Sequence, residues 1–413
     1  MKLKPSPTYE KNMGILYYQT VSEGIGGRVR CSYEDFIVRE ICLTRLSRHK
    51  GKYAYYELTK KGIDTLLALM LISEKLKVPL KDIGYAGLKD AHALTYQYIS
   101  LPVKCKVKEK ISIADNVILE FLGLADKPLR KGMLKGNLFE VIVREISNGE
   151  AEERISKVLY EIDELGGLYP FYGHQRFGTI RPNTHIVGKY IVNRMWKQAV
   201  LEIVGHPYPC EKREIVEARR FFEETEDAKK TLKMFPSKYV YERILLRSLA
   251  KNPGNYLYAL KNLPKFILRF YVEAYQSFIF NIFISKRIEQ GIAPNMAVKG
   301  DIIIRGNEYF KADFETKINP LKEKILLPLV GYKTHVFNPI LNDILKEEKV
   351  RTKNFIVKEL NVFVEGGFRK SPMTISKLDY VIWNNNVYFS FFLEKGYYAT
   401  IFLREVMKNE NVF

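Results

Sequence analysis

The chain has 413 residues, 46% of them apolar and 27% charged, a balance that excludes a mainly disordered protein and allows a sizeable core. Lys plus Arg number 66 against 47 Asp plus Glu, a formal net charge of +19, which favours a polyanionic partner: nucleic acid or an acidic membrane surface. At one domain per roughly 100–200 residues, two or three domains are expected.

The N-terminal stretch to Leu16 is polar and charged, without the apolar core of a secretory signal. Gly24-Ile25-Gly26-Gly27 is a turn cluster. Arg28–Ser32 and Asp35–Ile41 read as short strands, the second alternating Phe36, Val38 and Glu40. Tyr53–Thr59 is another. Asp64 or Thr65 can cap a helix in which Leu66, Leu67, Met70, Leu71 and Leu76 recur at helical spacing, and Pro79 ends it. Ile83–Asp90 is a small-residue turn, followed by strands at Leu94–Leu101, Val117–Phe121 and Leu138–Val143. There is no βαβ repetition, so the pattern is α+β with an antiparallel sheet.

A helix begins near Glu150 and ends at Gly166-Gly167. Asn193–Leu260 is mostly helical and charged, and Leu268–Gln290 is a long aromatic-rich helix closed by Gly291. Short strands return over Ala297–Phe363, then at Tyr380–Trp383, Val387–Leu393 and Thr400–Leu403. The order suggests one fold interrupted by an insertion.

Cys31, Cys42, Cys105 and Cys210 are scattered without a Cys-x-x-Cys pair, which argues against structural zinc and for free thiols in a reducing cytoplasm. The longest greasy runs, Leu66–Ile72 and Phe278–Ile284, fall far below the roughly 20 residues that span a bilayer. His-Glu-x-x-His and the P-loop pattern are absent. Zinc proteases and P-loop nucleotide enzymes are therefore disfavoured. Glu211–Lys233 carries too many acids for a membrane-surface helix.

The segment richest in chemistry is Gly84-Tyr85-Ala86-Gly87-Leu88-Lys89-Asp90. Small residues let a bulky ligand approach the backbone, and a neighbouring cation keeps a carboxylate ionised. Asp90 suits base or nucleophile chemistry, and it equally suits a turn aspartate that bonds its own backbone.

Ala86-Gly87-Leu88-Lys89-Asp90, with Ala93, Thr95 and Gln97 in register, resembles the signature of the TruD family of pseudouridine synthases. Glu34-Asp35-Phe36-Ile37-Val38 with Glu40, Gly136-Asn137-Leu138-Phe139 running into Val143-Arg144, and Tyr172–Gly178 resemble further family motifs. So do Ala274–Phe278 with Phe280-Asn281, and Gly396–Thr400 with Leu403-Arg404-Glu405. The matches follow the family's order along almost the whole chain.

The resemblance implies conversion of uridine to pseudouridine within tRNA or another RNA. The enzyme class is an isomerase, an intramolecular transferase, without cofactor. It maps the catalytic carboxylate to Asp90, acting at C1′ or on the C2′ proton, two routes that stay open. It places a basic residue at Arg30, where the family carries lysine, and an aromatic that packs on the target uracil at Phe139. Asn137 would fix the loop or bond near the aspartate. Lys89 would meet the site or phosphate. Gln175 and Arg176 would buttress the site, meet RNA or serve the core. The Tyr275 and Phe278 helix reads as packing.

The implied fold is a pseudouridine synthase catalytic domain with an antiparallel mixed sheet, interrupted by an inserted α+β TRUD domain. The boundaries are 1–168 and 368–413 for the catalytic parts and 169–367 for the insertion. Uridine 13 of the D arm is the first expected target and uridine 35 of the anticodon the alternative. A non-catalytic RNA-binding protein on the same scaffold is the competing reading. Lys104–Lys110 and Lys127–Lys135 are candidate phosphate-binding stripes or solvated loops. The plain expectation is a cytoplasmic monomer that works away from membranes.

Overall fold

The computed structural model describes residues 3–89, 92–103, 107–146 and 149–409. Two compact units emerge: Ser22–Gly167 with Met373–Phe413, and Met1–Val21 with Leu168–Pro372. We call them the sheet unit and the helical unit. Both mix helix and strand, so the fold is α+β as expected.

The unit boundaries differ from the expected ones: Leu168, residues 368–372 and the segment up to Val21 group with the helical unit. Buried polar side chains of its long helix, Lys265–Glu289, hold that segment. Asn281 Nδ2 donates to the Met13 carbonyl at 2.9 Å. Ser285 Oγ donates to the Gly14 carbonyl at 2.7 Å and accepts from Leu16 N at 3.0 Å. Such pairings depend on a distant part of the chain, so no local pattern announces them.

The sheet unit is built on strands β1 (Phe36–Cys42), β2 (Tyr53–Lys61), β3 (Leu94–Pro102), β4 (Lys110–Ala114), β5 (Val117–Ala125), β6 (Leu134–Ile146), β7 (Ser376–Trp383) and β8 (Asn386–Glu394). Their spatial order is β7-β8-β6-β1-β3-β2-β5-β4. Neighbours along this path are antiparallel except β1 and β3, which run parallel. That parallel pair lies at the centre and makes the sheet mixed.

Among the described residues, three α-helices pack in this unit. Helix α1 (Thr65–Leu76) starts where the Asp64 carboxylate accepts from Leu67 N at 3.0 Å. It buries Thr65, Ala68, Leu69 and Ile72. Leu66, Leu67 and Met70, which the spacing puts on the core stripe, are instead exposed. Helix α2 (Ala151–Glu164) buries Ala151, Ile155, Val158 and Ile162, a regular helical stripe. Helix α3 (Ala399–Met407) replaces the strand expected at Thr400–Leu403. All nine of its residues are buried. A run without a polar face carries no period to separate helix from strand.

The strand expected at Arg28–Ser32 is also shorter, Gly26–Arg28 only. Arg30 adopts φ 64°, a left-handed conformation that takes the chain out of the ladder.

In the helical unit the long helix is the axis of the core. It buries Leu268, Val272, Tyr275, Ile279, Phe283 and Ile288 among others. Gly291, at φ 74°, follows its end as the sequence suggests. Fully buried Arg287 on this helix pairs with buried Asp301 at 2.8 Å and donates to Tyr169 Oη at 3.0 Å. A four-stranded antiparallel sheet completes the unit, in the order Glu308–Lys311, Ile302–Arg305, Glu323–Leu329, Gly367–Ser371. Among the described residues, no helix is long and apolar enough to cross a membrane.

Helix Thr184–Val192 approaches the long helix through Gly188. A Cβ there would stand 2.0 Å from the Tyr271 carbonyl oxygen. Gly188→Ala should therefore force the two helices apart and lower stability by about 1–3 kcal/mol or more. Chemical denaturation checks this, and an unchanged midpoint would contradict the close contact.

Candidate active site

The site is built on one face of the large sheet. Residues directly opposite in a ladder point to the same side. Lys60 on β2 stands opposite Thr95 on β3. Thr95 stands opposite Val38 on β1, and Val38 opposite Phe139 on β6. Phe139 in turn faces Phe391 on β8. Two residues along, Glu40 on β1 is opposite Asn137 on β6, and Leu58 is opposite Gln97. Lys60, Thr95, Gln97, Glu40 and Asn137 thus lie on a face otherwise occupied by Leu58, Val38, Phe36, Phe139 and Phe391.

Four of these polar groups are deeply buried, and Asn137 is partly buried. Lys60, Thr95 and Gln97 are fully buried and Glu40 nearly so. Lys60 Nζ donates to the Ile63 carbonyl at 2.7 Å. Thr65 Oγ1 donates to Gln97 Oε1 at 2.9 Å. Among the described residues, Thr95 Oγ1, Gln97 Nε2, Asn137 Oδ1 and Glu40 Oε1 have no hydrogen-bond partner. A buried polar atom left unmatched costs about 1–3 kcal/mol. A fold that keeps four of them on one face holds a place for a polar group outside this set.

Lys89, one residue before Asp90, is fixed from three directions. Its ammonium lies 2.9 Å from Glu40 Oε2, and both side chains are under one-tenth exposed. Its N–H donates to Thr65 Oγ1 at 2.9 Å. Its carbonyl accepts from Lys60 Nζ at 3.5 Å. Burial pushes the Glu40 carboxyl above the usual carboxylate range, and the Lys89 ammonium opposes that rise.

The turn before it is equally constrained. A Cβ on Gly84 would sit 2.4 Å from both the Leu129 carbonyl and Ser100 Oγ. Ala86 O accepts from Gly132 N at 2.8 Å. That contact brings the basic stripe at Lys127–Lys135 beside the turn, with Lys131 Nζ 5.6 Å from the Tyr85 ring centre. Asp90 itself and part of the stripe at Lys104–Lys110 lie outside the described residues.

Phe139 is 7% exposed. Its ring stacks on Phe391 with centres 5.4 Å apart and meets Phe36 edge-on at 6.2 Å. The Arg30 guanidinium lies 4.4 Å from the Phe36 ring centre. The segment carrying Arg30 is pinned just downstream, where Ser32 N donates to Asp35 Oδ2 at 2.9 Å and Arg144 grips Asp35 at 2.6 Å. Burial raises the Asp35 carboxyl, but Arg144 and Ser32 outweigh it and hold the group below the usual range. So Lys89, Asn137 and Phe139 come together on one face, and Arg30 joins them through Phe36.

Gln175 and Arg176 belong to the helical unit, in the short turn His174–Arg176. Arg176 Nε donates to Ser277 Oγ at 3.1 Å, and its Nη2 lies 3.3 Å from Glu273. Its guanidinium packs 5.0 Å from the Phe270 ring centre. Tyr172 and Asn281 exchange two hydrogen bonds, at 2.9 and 3.1 Å. Tyr275 Oη donates to Glu348 and Gln276 Nε2 to the Val330 carbonyl. The Ala274–Phe278 segment is packing, as its aromatic content suggests.

Sequence reasoning passed over Glu40, Lys60, Thr95 and Gln97 as site residues. The signal was present: Glu40 and Lys60 are charged residues at core-face positions of alternating strands, where a charge is rare unless paired.

The family model described as tRNA pseudouridine synthase D (TruD) matches residues 12–406 of the chain. The chain belongs to the TruD family. A relative in Methanosarcina mazei, named a probable tRNA pseudouridine synthase D, is 37% identical over 97% of this chain and 98% of its own length. One of the same name in Pyrococcus furiosus is 36% identical over 96% and 99%. A crystal structure of a putative TruD from Methanosarcina mazei superposes with a TM-score of 0.79 at 35% identity, covering 98% of this chain and 99% of that one. As a TruD enzyme the chain is an isomerase, and the structural match agrees with its α+β fold.

Lys89→Met should leave the Glu40 carboxylate buried without its cation and destabilise the TruD chain by about 3–5 kcal/mol. The Glu40 pKa, already raised by burial, should rise further in the variant. Its stability deficit should therefore shrink as pH falls from the raised Glu40 pKa towards the ordinary carboxylate value and Glu40 takes up a proton. Denaturation at several pH values checks this. A deficit that grows toward low pH would contradict the pairing.

Proposed function

We propose that this TruD chain isomerises one uridine of tRNA to pseudouridine, with Asp90 as the catalytic carboxylate. The observation that carries the site is the row of polar side chains on the sheet face, with four buried atoms unmatched among the described residues. It is anchored to the residue before Asp90 by the Lys89–Glu40 pair.

The chemistry divides as follows. The C1′–N1 glycosidic bond breaks, the uracil turns, and C5 bonds to C1′. The hydrogen on C5 leaves to solvent, and N1 ends protonated. Asp90 either attacks C1′ or takes the C2′ proton, and either route needs the ionised carboxylate. Arg30 holds its charge at any working pH and stabilises that ionised form. Asn137 supplies a carbonyl oxygen that can accept from the target uracil. Phe139 offers an uncharged ring edge or face to the base. The target must leave its stack, at a cost of a few kcal/mol, least where stacking is already weak. The exposed cations of the Lys127–Lys135 loop meet the phosphates beside the site.

Uridine 13 of the D arm is the favoured target and uridine 35 of the anticodon the alternative. The enzyme works as a cytoplasmic monomer without a cofactor, and its domain plan is a catalytic domain interrupted by a TRUD insertion. Gln175 and Arg176 act as buttresses within the insertion, through the long helix.

Incubation with bulk tRNA tritiated at C5 of uridine follows release of that hydrogen to water. Wild type should release tritium, and Asp90→Asn should lose at least ~100-fold in rate while binding tRNA within a few-fold. Retained turnover in the variant would remove Asp90 from the chemistry. Mapping the modified position then names the uridine. Phe139→Leu should lower turnover while keeping most of the fold. Phe139→Ala should cost about 3–5 kcal/mol of stability, because the ring is buried. Equal turnover in the leucine variant and wild type would leave Phe139 a core residue only. Affinity for tRNA should fall steeply with salt, and a flat dependence would contradict phosphate binding.

A further inference from the structure

We propose that Leu88 is a wedge: its side chain enters the RNA stack beside the target uridine and fills the gap that the flipped base leaves. This inference rests on the pseudouridine reading above.

From Ile83 to Lys89 the chain turns its side chains inward. Ile83 and Ala86 are buried. Tyr85 packs against the apolar core beneath the sheet. Lys89 reaches back to Glu40. Leu88 is the exposed residue of this segment, 58% open to solvent. It stands two residues before Asp90.

The backbone that carries Leu88 is held on both sides. Before it, Gly84 and Tyr85 pair with Ser100 and Ile99. Ala86 sits among Tyr55, Leu129 and Leu134, and its carbonyl accepts from Gly132 N at 2.8 Å. After it, Lys89 N donates to Thr65 Oγ1 at 2.9 Å. A lone exposed leucine is ordinary on a protein surface. This one projects from a fixed mount beside the reacting carboxylate. A wedge needs such a mount, because it must displace a stacked base without being displaced itself.

Gly87 supplies clearance next to that side chain. Among the described residues, a Cβ there would meet only the Lys89 ammonium, at 3.6 Å, an ordinary contact. Its φ lies outside the left-handed region. Neither clash nor backbone conformation therefore calls for glycine here. Gly84 is the contrast, where a Cβ would sit 2.4 Å from Ser100 Oγ. The side chain that Gly87 lacks leaves room for a sugar and phosphate to pass close to the backbone.

The chemistry of the gap favours leucine. A flipped base exposes the apolar faces of its two stacked neighbours. An aliphatic wedge covers both faces and asks for no hydrogen bond, and leucine and methionine are among the side chains that serve in this way. The wedge reads no sequence. It lowers the cost of extrusion, which is a few kcal/mol for a stacked base. The Lys127–Lys135 loop, tied to the same turn through Gly132, meets the phosphates of the strand being opened.

The test uses the full-length protein and bulk tRNA tritiated at C5 of uridine, in single turnover. Leu88→Ala should slow tritium release by roughly 10- to 100-fold while the Kd for tRNA stays within about three-fold. Leu88→Met should return the rate to within about three-fold of wild type, because methionine conserves the volume and apolar character. Both variants should keep the wild-type denaturation midpoint, because the side chain is exposed. A tRNA transcript with 2-aminopurine beside the mapped uridine reports unstacking. Its fluorescence should rise with wild type and Leu88→Met and stay low with Leu88→Ala. An alanine variant as fast as wild type would overturn the wedge. So would a methionine variant as slow as alanine, a loss carried by Kd instead of rate, or a slow alanine variant that still unstacks the 2-aminopurine. Absence of tritium release by wild type sinks the pseudouridine reading and the wedge with it. Release that Leu88→Ala leaves unchanged sinks the wedge alone.

Discussion

The Lys89–Glu40 pair is the constraint on which the rest of the site depends. An ion pair under one-tenth exposed is expensive to assemble, because both charges leave water. It survives here because Thr65 and Lys60 clasp the backbone of the same residue. The result is a chain clamped to the sheet face immediately before Asp90. From that clamp the polar row extends across β2, β3, β1 and β6, where alternation would otherwise call for apolar residues. A sheet designed only for stability would fill those positions with Val or Leu. Among the described residues, four unmatched buried atoms on one face are the cost of keeping the face polar.

The TruD motifs divide into those that bear chemistry and those that hold the chain in place. Asp35 and Arg144, from two motifs far apart in sequence, grip each other and pin the segment that carries Arg30. Arg176 and Ser277 join two further motifs inside the helical unit, and Tyr172 and Asn281 join the same pair again. A motif residue is thus not by that fact a contact with substrate. Arg176 shows the distinction well: its guanidinium is spent on Glu273, Ser277 and the Phe270 ring.

The small sheet of the helical unit makes the complementary point. Its inner face is an ordinary apolar core, while its outer face collects lysines and exposed aromatic rings. The alternation that buries Ile303, Ile325 and Leu327 also places Lys311, Lys324 and Lys370 together on the outer side. Strand periodicity builds a core and a charged platform from the same residues.

The sequence by itself determined the reaction class, the α+β pattern, the long helix, the Asp64 cap and the segment that carries Asp90. These are local properties: a motif read in order, a cap, a period, a glycine after a helix. It did not determine that residues 1–21 pack with 168–372, because that rests on Asn281 and Ser285 reaching backbone carbonyls some 270 residues away. Nor did it determine that 399–407 is helical, because a fully buried run has no polar face to mark its period. Leu66, Leu67 and Met70 have the spacing of a core stripe, yet tertiary packing chose Ala68, Leu69 and Ile72. Glu40 and Lys60 read as scattered polar residues until ladder register brought them to one face with Asn137. Register is set by which strands pair, and pairing is decided by the whole fold.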